Sequence, residues 1–458
     1  MPMARVMVAG EESGCGKSTV AIGLMGALAA TGLTVQGFKT GPDYIDPSYY
    51  GAVTGRPGRN LDLWMLSQAA VLELFIHHGA PADVAVIEGV MGLFDGAYPD
   101  DTGSTAHLAK VLQTPVLLVL DAWRSSSSLG AKALGFRTFD PAVRLDGVIL
   151  NGIAGEAHER AVRQAVERAG LPVVGAIPFL PEIRLPERHL GLVPFQEGKG
   201  AEERCRQITE HVRDHLDLPQ ILGIARQASP LPDPAPILFA SPPRRPEFRL
   251  AVARDEAFTF YYEDNLDLLR RWGFRVVEFS PLHDTALPAA DLLYLGGGFP
   301  ELFAEPLSRN VAMREAVRRF EREGGLVYGE CGGFMYLGET LTTSEGRSFP
   351  MAGLLPIQTA MTERLQALKY KEVEVLRPGF FFRAGDRLKG HEFHYSHLTA
   401  EAGLRALRSV DSMGRVEEEG VVKNGVFASY THLHLASNPS LLQDLPSRLR
   451  SMFAGRKG

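Results

Sequence analysis

A glycine-rich run near the N-terminus combines the residue types that bind nucleoside triphosphates. The run GEESGCGKST at residues 10–19 follows an apolar segment and precedes a helical pattern, which is the strand–loop–helix context of a phosphate-binding loop. Backbone N–H groups and the positive helix end bind phosphate oxygens in such a loop, the lysine supplies mobile positive charge, and the following hydroxyl holds Mg²⁺. The residues expected to contact ATP and Mg²⁺ are Gly14, Gly16, Lys17, Ser18 and Thr19.

The loop is longer than the common fingerprint, with five residues between Gly10 and Gly16 where four are usual. This longer loop resembles the variant of dethiobiotin synthetase and its relatives, which activate carboxylates with ATP. Cys15 lies inside the loop, and we interpret it as a small filler rather than as a reactive thiol.

A second run, LVYGECGGFMYL at residues 326–337, places Cys331 in a tight turn between a short strand and a helix. Small neighbours permit the turn of a nucleophile elbow, and the helix N-terminus is expected to lower the pKa of the thiol. The N–H of Gly332 is positioned to donate to an oxyanion. Three glycines at 296–298 leave further N–H groups bare, so Gly298 is the second candidate donor.

A thiolate nucleophile needs a base. The run FASYTHLH at residues 427–434 is typical of a strand that ends in histidine, so we choose His432 as the partner of Cys331 and His434 as the second candidate. The run GHEFHYS at 390–396 is dense in polar groups, but it is also typical of a solvated hairpin. The C-terminal histidines considered are His391, His394, His397, His432 and His434.

The first half of the chain alternates apolar runs with helical patterns. Continuous apolar runs predict strands that are buried on both faces, and intervening helices predict a doubly wound parallel sheet. Ligands bind such sheets at the carboxyl ends of the strands. The predicted strands cover residues 35–38, 84–88, 116–120, 148–150 and 173–177.

Acidic residues follow two of these strands. Glu88 ends an apolar strand, which is the usual position of the second Mg²⁺ partner in phosphate-loop enzymes, so we predict a metal site of Ser18, Glu88 and Asp43. Gly-Pro and Asp-Pro pairs break regular structure, so Asp43 and Asp46 are predicted to lie on a loop with Lys39. These three residues either bind Mg²⁺ and order an acyl acceptor, or the two aspartates only cap turns.

Composition limits the function classes. The 458 residues are 45% hydrophobic and carry a net charge of −6, which argues against a nucleic-acid binder. Three cysteines make no disulfide framework, and neither a secretory signal nor a membrane-length apolar run is visible. We therefore expect a soluble, cytoplasmic protein with no membrane partner.

A proline-rich segment divides the chain. We expect an ATP-binding, carboxylate-activating domain at 1–228, a stiff linker at 229–246 and a second domain, which carries the cysteine elbow, at 247–458. In the last segment, strands are predicted at 250–253, 276–279 and 291–295, with an amphipathic helix at 265–272. The fold class is therefore α/β, with two doubly wound domains.

The order of these motifs over nearly the whole chain resembles the cobyrinic acid a,c-diamide synthase family. The resemblance implies a dethiobiotin-synthetase-like ATP domain and a class I glutamine amidotransferase domain, with Cys331 and His432 as nucleophile and partner. It also implies that Asn151 reads the adenine edge. Many class I amidotransferases carry Glu two residues after the histidine, but His434 stands there. The third member of the triad is therefore open.

The resemblance implies one reaction. ATP phosphorylates a carboxylate of a corrin macrocycle, cobyrinic acid, while glutamine supplies ammonia, and two side chains are amidated in turn. Free ammonia is mostly protonated at neutral pH, which favours delivery through the protein. Other substrates remain open, namely hydrogenobyrinic acid or nickel-sirohydrochlorin, as do a cobyric acid synthase activity and a nucleotide-switch scaffold. A homodimer is a further expectation.

Overall fold

The computed structural model describes residues 3–97, 100–183, 185–188, 191–198, 200–234 and 236–455. The chain divides into two compact units, Met1–Ile237 and Leu238–Gly458. This division falls inside the predicted linker, whose own boundaries stay a prediction. Within the described residues, no helix is long and apolar enough to cross a membrane.

A seven-stranded parallel sheet is the centre of the first unit. Its strands are β1 (Arg5–Gly10), β2 (Val35–Thr40), β3 (Arg59–Leu61), β4 (Val84–Glu88), β5 (Val116–Asp121), β6 (Leu145–Ile153) and β7 (Val173–Pro178). A separate antiparallel ribbon consists of β8 (Glu187–Arg188) and β9 (Gly191–Leu192). The sheet order is β3-β2-β4-β1-β5-β6-β7. From β1 the chain continues to β2 in one direction along the sheet, and from the adjacent strand β4 it continues to β5 in the opposite direction. Such a reversal of direction marks the ligand-binding crevice of a parallel sheet, which therefore lies at the carboxyl ends of β1 and β4.

The five strands predicted in this half are all confirmed, because continuous apolar sequence here is buried on both faces. Helices cover the sheet as predicted. They are α1 (Lys17–Ala30), α2 (Ile45–Thr54), α3 (Gln68–Gly79), α4 (Thr105–Val111), α5 (Ser128–Phe139), α6 (Glu156–Arg168), α7 (Ala201–Arg213) and α8 (Leu218–Arg226), with short 3-10 turns at Pro181–Ile183 and Phe195–Glu197.

Helix α1 is buried along almost its whole length because α7 packs directly on it. A Cβ built on Gly23 would lie 2.5 Å from Val212, and one on Gly26 would lie 2.2 Å from the Thr209 hydroxyl. Only glycine therefore permits the two helices to approach this closely.

The second unit is built on a ten-stranded sheet with a four-stranded sheet beside it. The strands are β10 (Phe248–Ala253), β11 (Phe274–Phe279), β12 (Leu292–Leu295), β13 (Leu326–Glu330), β14 (Thr340–Thr342), β15 (Ser348–Pro350), β16 (Ile357–Met361), β17 (Ala367–Val375), β18 (Arg387–His394), β19 (Ser396–Glu401), β20 (Leu404–Asp411), β21 (Val416–Lys423), β22 (Val426–Ser429) and β23 (His432–Leu433). The large sheet has the order β11-β10-β12-β13-β22-β21-β20-β17-β18-β23.

Half of this large sheet is parallel and half is antiparallel. The parallel part, β11 to β22, contains the three predicted strands and confirms the α/β class, whereas the antiparallel extension was not predicted. The helices are α9 (Glu263–Arg271), α10 (Ala304–Arg309), α11 (Val311–Arg322), α12 (Gly332–Leu337), α13 (Ser440–Gln443) and α14 (Leu445–Gly455), with 3-10 turns at Pro300–Phe303 and Leu435–Ser437.

Two local predictions in this unit are wrong. The run 427–434 is not one strand, because β22 ends at Ser429 and His432 begins the separate strand β23. The run 390–396 is not a solvated hairpin, since His391 and Glu392 lie in β18 and are only 6% exposed. Polar sequence indicated exposure there, but these side chains are paired inside the unit.

Candidate active site

The phosphate-binding loop of the first unit lies between β1 and α1, as predicted. Gly14 and Gly16 adopt the left-handed backbone conformation, with φ of 85° and 91°, which non-glycine residues rarely adopt. A Cβ on Gly10 would lie 2.5 Å from the sulfur of Cys15 and 3.5 Å from Cδ of Lys17. Cys15 therefore fills space beneath the loop, and the lysine stem crosses the end of β1.

The side chains at the crevice form one hydrogen-bonded cluster of charges. The Nζ atom of Lys39, at the end of β2, lies 2.5 Å from Asp46 Oδ2 and 2.6 Å from Glu88 Oε1. Ser18 Oγ donates to the same Glu88 oxygen at 2.7 Å and lies 3.3 Å from Asp46 Oδ2. Tyr50 donates to the other Glu88 oxygen at 2.6 Å. Thus, the structure brings residues from α1, α2, β2 and β4 together.

Burial and neighbouring charges set the protonation of this cluster. For Lys39, burial lowers the pKa, but the carboxylates of Asp46 and Glu88 together raise it well above its usual range. For Asp46, burial raises the pKa, but the Lys39 ammonium outweighs it and lowers the pKa to about 2. Burial and the charge of Asp46 raise the pKa of Glu88. At neutral pH the cluster therefore holds a fixed ammonium beside Asp46 as carboxylate.

The two aspartates after β2 have different places. Asp46 belongs to the first turn of α2 rather than to a loop, so that prediction is wrong for Asp46. The following Pro47 also lies in the first turn of this helix, which begins at Ile45, and it does not break the helix because N–H groups of the first turn have no intrahelical partner. Asp43 precedes the helix and accepts the N–H groups of Ile45 and Asp46 at 2.7 and 3.4 Å.

The donor set of this cluster fits Mg²⁺. Magnesium prefers hard oxygen ligands, usually a hydroxyl and one or two carboxylates together with phosphate oxygens and water. Ser18, Asp46 and Glu88 present such oxygens within hydrogen-bond distance of one another or of a shared ammonium. Asp43 was predicted as the third ligand, but in this structure Asp46 contacts Ser18. The role of Asp43 as a metal ligand stays a prediction.

Asn151 lies on β6, which pairs in parallel with β5 and places Asn151 opposite Asp121. Its amide nitrogen donates to the carbonyl of Cys15 at 3.0 Å, and a Cβ on Gly16 would lie 2.1 Å from that nitrogen. This side chain therefore supports the phosphate-binding loop from below. Recognition of adenine by Asn151 stays a prediction.

The predicted elbow in the second unit is present at Cys331, between β13 and α12. Cys331 has φ 47° and ψ −103°, a strained conformation for a residue with a side chain. Glycines permit this turn, because a Cβ on Gly332 would lie 3.1 Å from the Gly298 nitrogen, and one on Gly333 would lie 2.1 Å from the Leu295 carbonyl oxygen. The glycine run 296–298 therefore lies directly against the elbow, where the N–H groups of Gly298 and Gly332 were predicted to act.

His432 lies against the same glycine run. A Cβ on Gly297 would lie 2.4 Å from Cε1 of His432 and 3.2 Å from its Nε2. The next residue is fixed by Asn265, which accepts from Leu435 N and donates to Leu433 O, both at 2.8 Å. The ring of His432 and the elbow thus lie against the same glycine run, at Gly297 and Gly298 respectively.

Burial defines the protonation of the second site. It raises the pKa of the Cys331 thiol well above its usual value, and the nearby carboxylates of Glu301 and Glu392 add to this effect. The N–H of Gly332 opposes the rise. The helix end thus lowers the thiol pKa as expected, through the Gly332 N–H, but burial outweighs this effect and the net pKa lies above its usual value.

His434, the second candidate base, is fully buried. Neither of its ring nitrogens has a hydrogen-bond partner among the residues that the structure describes, and burial lowers its pKa to about 4. Its ring packs on Tyr262, with centroids 4.6 Å apart. His434 therefore acts as a neutral core side chain in this structure.

Family models match both units of the chain. Residues 6–193 match the family model described as the CobQ/CobB/MinD/ParA nucleotide binding domain, and residues 249–440 match the CobB/CobQ-like glutamine amidotransferase domain. A solved glutamine amidotransferase structure covers 44% of this chain and 98% of its own, with a TM-score of 0.32 and 18% identity, which is too weak a likeness to guide an assignment.

Curated relatives match over the full length. The cobyrinate a,c-diamide synthase of Synechocystis sp. is 42% identical, covering 96% of this chain and 92% of its own length. The enzyme of the same name from Archaeoglobus fulgidus is 42% identical, with 96% of both chains covered. That from Dehalococcoides mccartyi is 40% identical over 99% of this chain and 100% of its own.

Proposed function

Since this chain belongs to the cobyrinate a,c-diamide synthase family, we propose that it amidates the a and c carboxylates of cobyrinic acid with ATP and glutamine. One observation carries the proposal. A phosphate-binding loop with a Lys39–Asp46–Glu88 cluster and a cysteine elbow with a neighbouring histidine occur in one chain. A carboxylate-activating site and an ammonia-releasing site are the two parts that a glutamine-dependent amidoligase requires.

The first site serves carboxylate activation. A carboxylate is a poor electrophile, so its oxygen attacks the γ-phosphorus of ATP, the bond to ADP breaks, and an acyl phosphate forms. Lys17 and the N–H groups of the loop stabilise the charge on the phosphate oxygens. Lys39 stays protonated beside Asp46 and Glu88, and it holds these carboxylates in place for the reaction. Ammonia then attacks the acyl carbon and phosphate leaves.

Mg²⁺ belongs to this proposal. Ser18, Asp46 and Glu88 would hold it, and its charge would neutralise the phosphate oxygens. Two of these oxygens, Asp46 Oδ2 and Glu88 Oε1, also accept from Lys39, which holds the two carboxylates beside each other.

The second site releases ammonia. The proton of the Cys331 thiol passes to Nε2 of His432, and the thiolate attacks the carboxamide carbon of glutamine. The N–H groups of Gly298 and Gly332 stabilise the oxyanion. The C–N bond breaks, the imidazolium returns its proton to the departing nitrogen, and water hydrolyses the thioester to glutamate.

The macrocycle is tested directly by its products. The protein with ATP, Mg²⁺ and glutamine is incubated in parallel with cobyrinic acid, hydrogenobyrinic acid and nickel-sirohydrochlorin, and products are identified by mass spectrometry. We expect a monoamide and then a diamide of cobyrinic acid. A diamide formed only from another macrocycle would change the substrate. More than two amides would favour a cobyric acid synthase activity, and glutamine-dependent ATP turnover without any product would favour a nucleotide-switch scaffold.

The setting and the assembly are part of the same proposal. We propose that the enzyme works in the cytoplasm, where ATP and glutamine are abundant, and as a homodimer. Its three cysteines are reduced and buried, which agrees with a reducing compartment. Light scattering at the concentration of the assay measures the oligomeric state, and a monomer at that concentration would remove the dimer from the proposal.

A further inference from the structure

The glutaminase site needs a group that orients its histidine. A Cys–His pair works best when a third group fixes the ring and stabilises the imidazolium. The position two residues after His432 carries His434, which burial keeps neutral. The group must therefore come from another part of the unit.

We propose that Glu330, the residue immediately before the nucleophile, is the positioning residue of His432. This inference rests on the proposed roles of Cys331 and His432. Oε2 of Glu330 lies 3.8 Å from Nδ1 of His432, and both side chains are only 2% exposed. The opposite edge of the ring, with Nε2, faces the backbone at Gly297. Nδ1 thus faces the carboxylate of Glu330, and the Nε2 edge lies against the glycine run that also borders the elbow.

Three hydrogen bonds from described residues hold the carboxyl group of Glu330 in place. Tyr294 donates its hydroxyl to Oε2 at 2.8 Å, and Tyr328 donates to Oε1 at 2.7 Å. The backbone N–H of Leu433, the residue after His432, also donates to Oε1 at 3.1 Å. A buried carboxylate needs such donors. The last of these bonds ties the acid to the segment that carries the base.

The surroundings of the Cys331 thiol explain why a negative charge on Glu330 is needed beside His432. Burial and the carboxylates of Glu301 and Glu392 oppose ionisation of Cys331. Ionisation therefore requires that the imidazolium of His432 form at the same time. Among the described residues, Glu330 from β13 and His391 from β18 both lie beside His432, and the His391 ring stacks on it at 5.1 Å. Burial lowers the pKa of His391 and keeps it neutral, whereas Glu330 places a carboxyl group beside Nδ1, where it would stabilise the imidazolium.

The test is Glu330→Gln, which keeps an oxygen for Tyr328 and Leu433 and removes the charge. An opposite charge at this distance shifts a pKa by about 1–3 units. We therefore expect glutamine-dependent amidation to fall about tenfold or more, while amidation with high ammonium stays at the wild-type rate. Alkylation of Cys331 by iodoacetamide at pH 7 should slow about tenfold, and its midpoint should move to higher pH.

Tyr328→Phe is the matched control, because it removes one hydrogen bond to Glu330 and leaves the carboxylate. Its alkylation midpoint should match that of the wild type. If Glu330→Gln lowers the glutamine rate but leaves this midpoint unchanged, Glu330 is only structural and the inference fails.

Separate measurements check that the Glu330 variants fold and that Cys331 is the glutaminase nucleophile. If circular dichroism shows that Glu330→Gln is unfolded, Glu330→Asp replaces it. That variant keeps the charge, so a midpoint nearer to the wild type than that of a neutral Glu330→Ala supports the inference, and equal midpoints overturn it. Glutamine use that survives Cys331→Ser would instead overturn the glutaminase assignment itself.

Discussion

The two candidate sites share a strand–turn–helix backbone but solve opposite electrostatic problems. In the first unit, Lys39 forms ion pairs with Asp46 and Glu88. In the second, Cys331 and His434 are held neutral by burial. The first site must receive a highly charged nucleotide, and fixed charges prepare it. If Cys331 is the nucleophile that we propose, the second site creates charge only during the reaction, and a buried, neutral thiol is unreactive at other times.

The turns themselves differ in the same way. The phosphate-binding loop uses Gly14 and Gly16 for its left-handed positions, so its backbone is relaxed. The elbow places Cys331 at φ 47°, where a side chain costs about 1–3 kcal/mol. Strain is accepted where a reactive side chain must project and is avoided where only N–H groups are needed.

The largest expected effect comes from the loop lysine. Lys17→Ala should abolish amidation with glutamine and with ammonium alike, by at least about 10³-fold, because both reactions need the acyl phosphate. Glu88→Gln should do the same, because it removes the carboxylate charge even though its amide oxygen can still accept from Ser18. Product formation with each nitrogen source is the measurement. Ammonium-dependent turnover near the wild-type rate in either variant would show that the ATP site lies elsewhere.

The thiol should separate the two units. Cys331→Ser should remove glutamine-dependent amidation and preserve the ammonium-dependent rate, since the carboxylate-activating site is unchanged. Cys15→Ser is the control for cysteine loss, and it should retain most of both activities because Cys15 fills space beneath the loop. Equal loss of both activities in Cys331→Ser would contradict this separation.

The two aspartates sharpen the comparison within the first site. Asp46→Asn removes the ion pair with Lys39 and should slow amide formation about 10²-fold, as for a positioned catalytic group. Asp43→Asn keeps an oxygen for the N–H of Ile45 and should slow it less than tenfold. Time courses that resolve monoamide from diamide measure both steps. If the Asp43→Asn enzyme stops at the monoamide, Asp43 takes part in catalysis and does not only cap the turn.

The smallest expected effect is on stability. Burial and the charge of Asp46 raise the pKa of Asp43 to about 7, above its unfolded value near 4. Between these values the folded chain binds a proton that the unfolded chain does not, so this contribution to stability is lost as pH rises from about 4 to 7. Asp43→Asn should therefore raise the melting temperature at pH 8 by about 2–4 °C, the effect of about 1 kcal/mol. Scans at pH 4 and pH 8 test it, and an equal difference at both values would contradict it.

The sequence predicted what local patterns specify. The apolar runs located the parallel strands, and the glycines located both turns, because each requirement is written in neighbouring residues. Pairings between distant residues were not predictable. The stacking of His391 on His432 depends on β18 meeting β23, and the contact between Glu330 and His432 joins residues about a hundred positions apart. Asp46 was misplaced because Asp-Pro indicates both a break and a helix start.

The close packing of α1 against α7 indicates that the nucleotide-binding unit needs α7 in order to fold. The family match stops at residue 193, yet Val212 and Thr209 cover the glycines of α1 that follow the phosphate-binding loop. A fragment cut at residue 193 would leave the loop motif complete and expose the helix behind it to water. A chimera that takes the nucleotide-binding unit from another family member should therefore take α7 from the same member as the sheet.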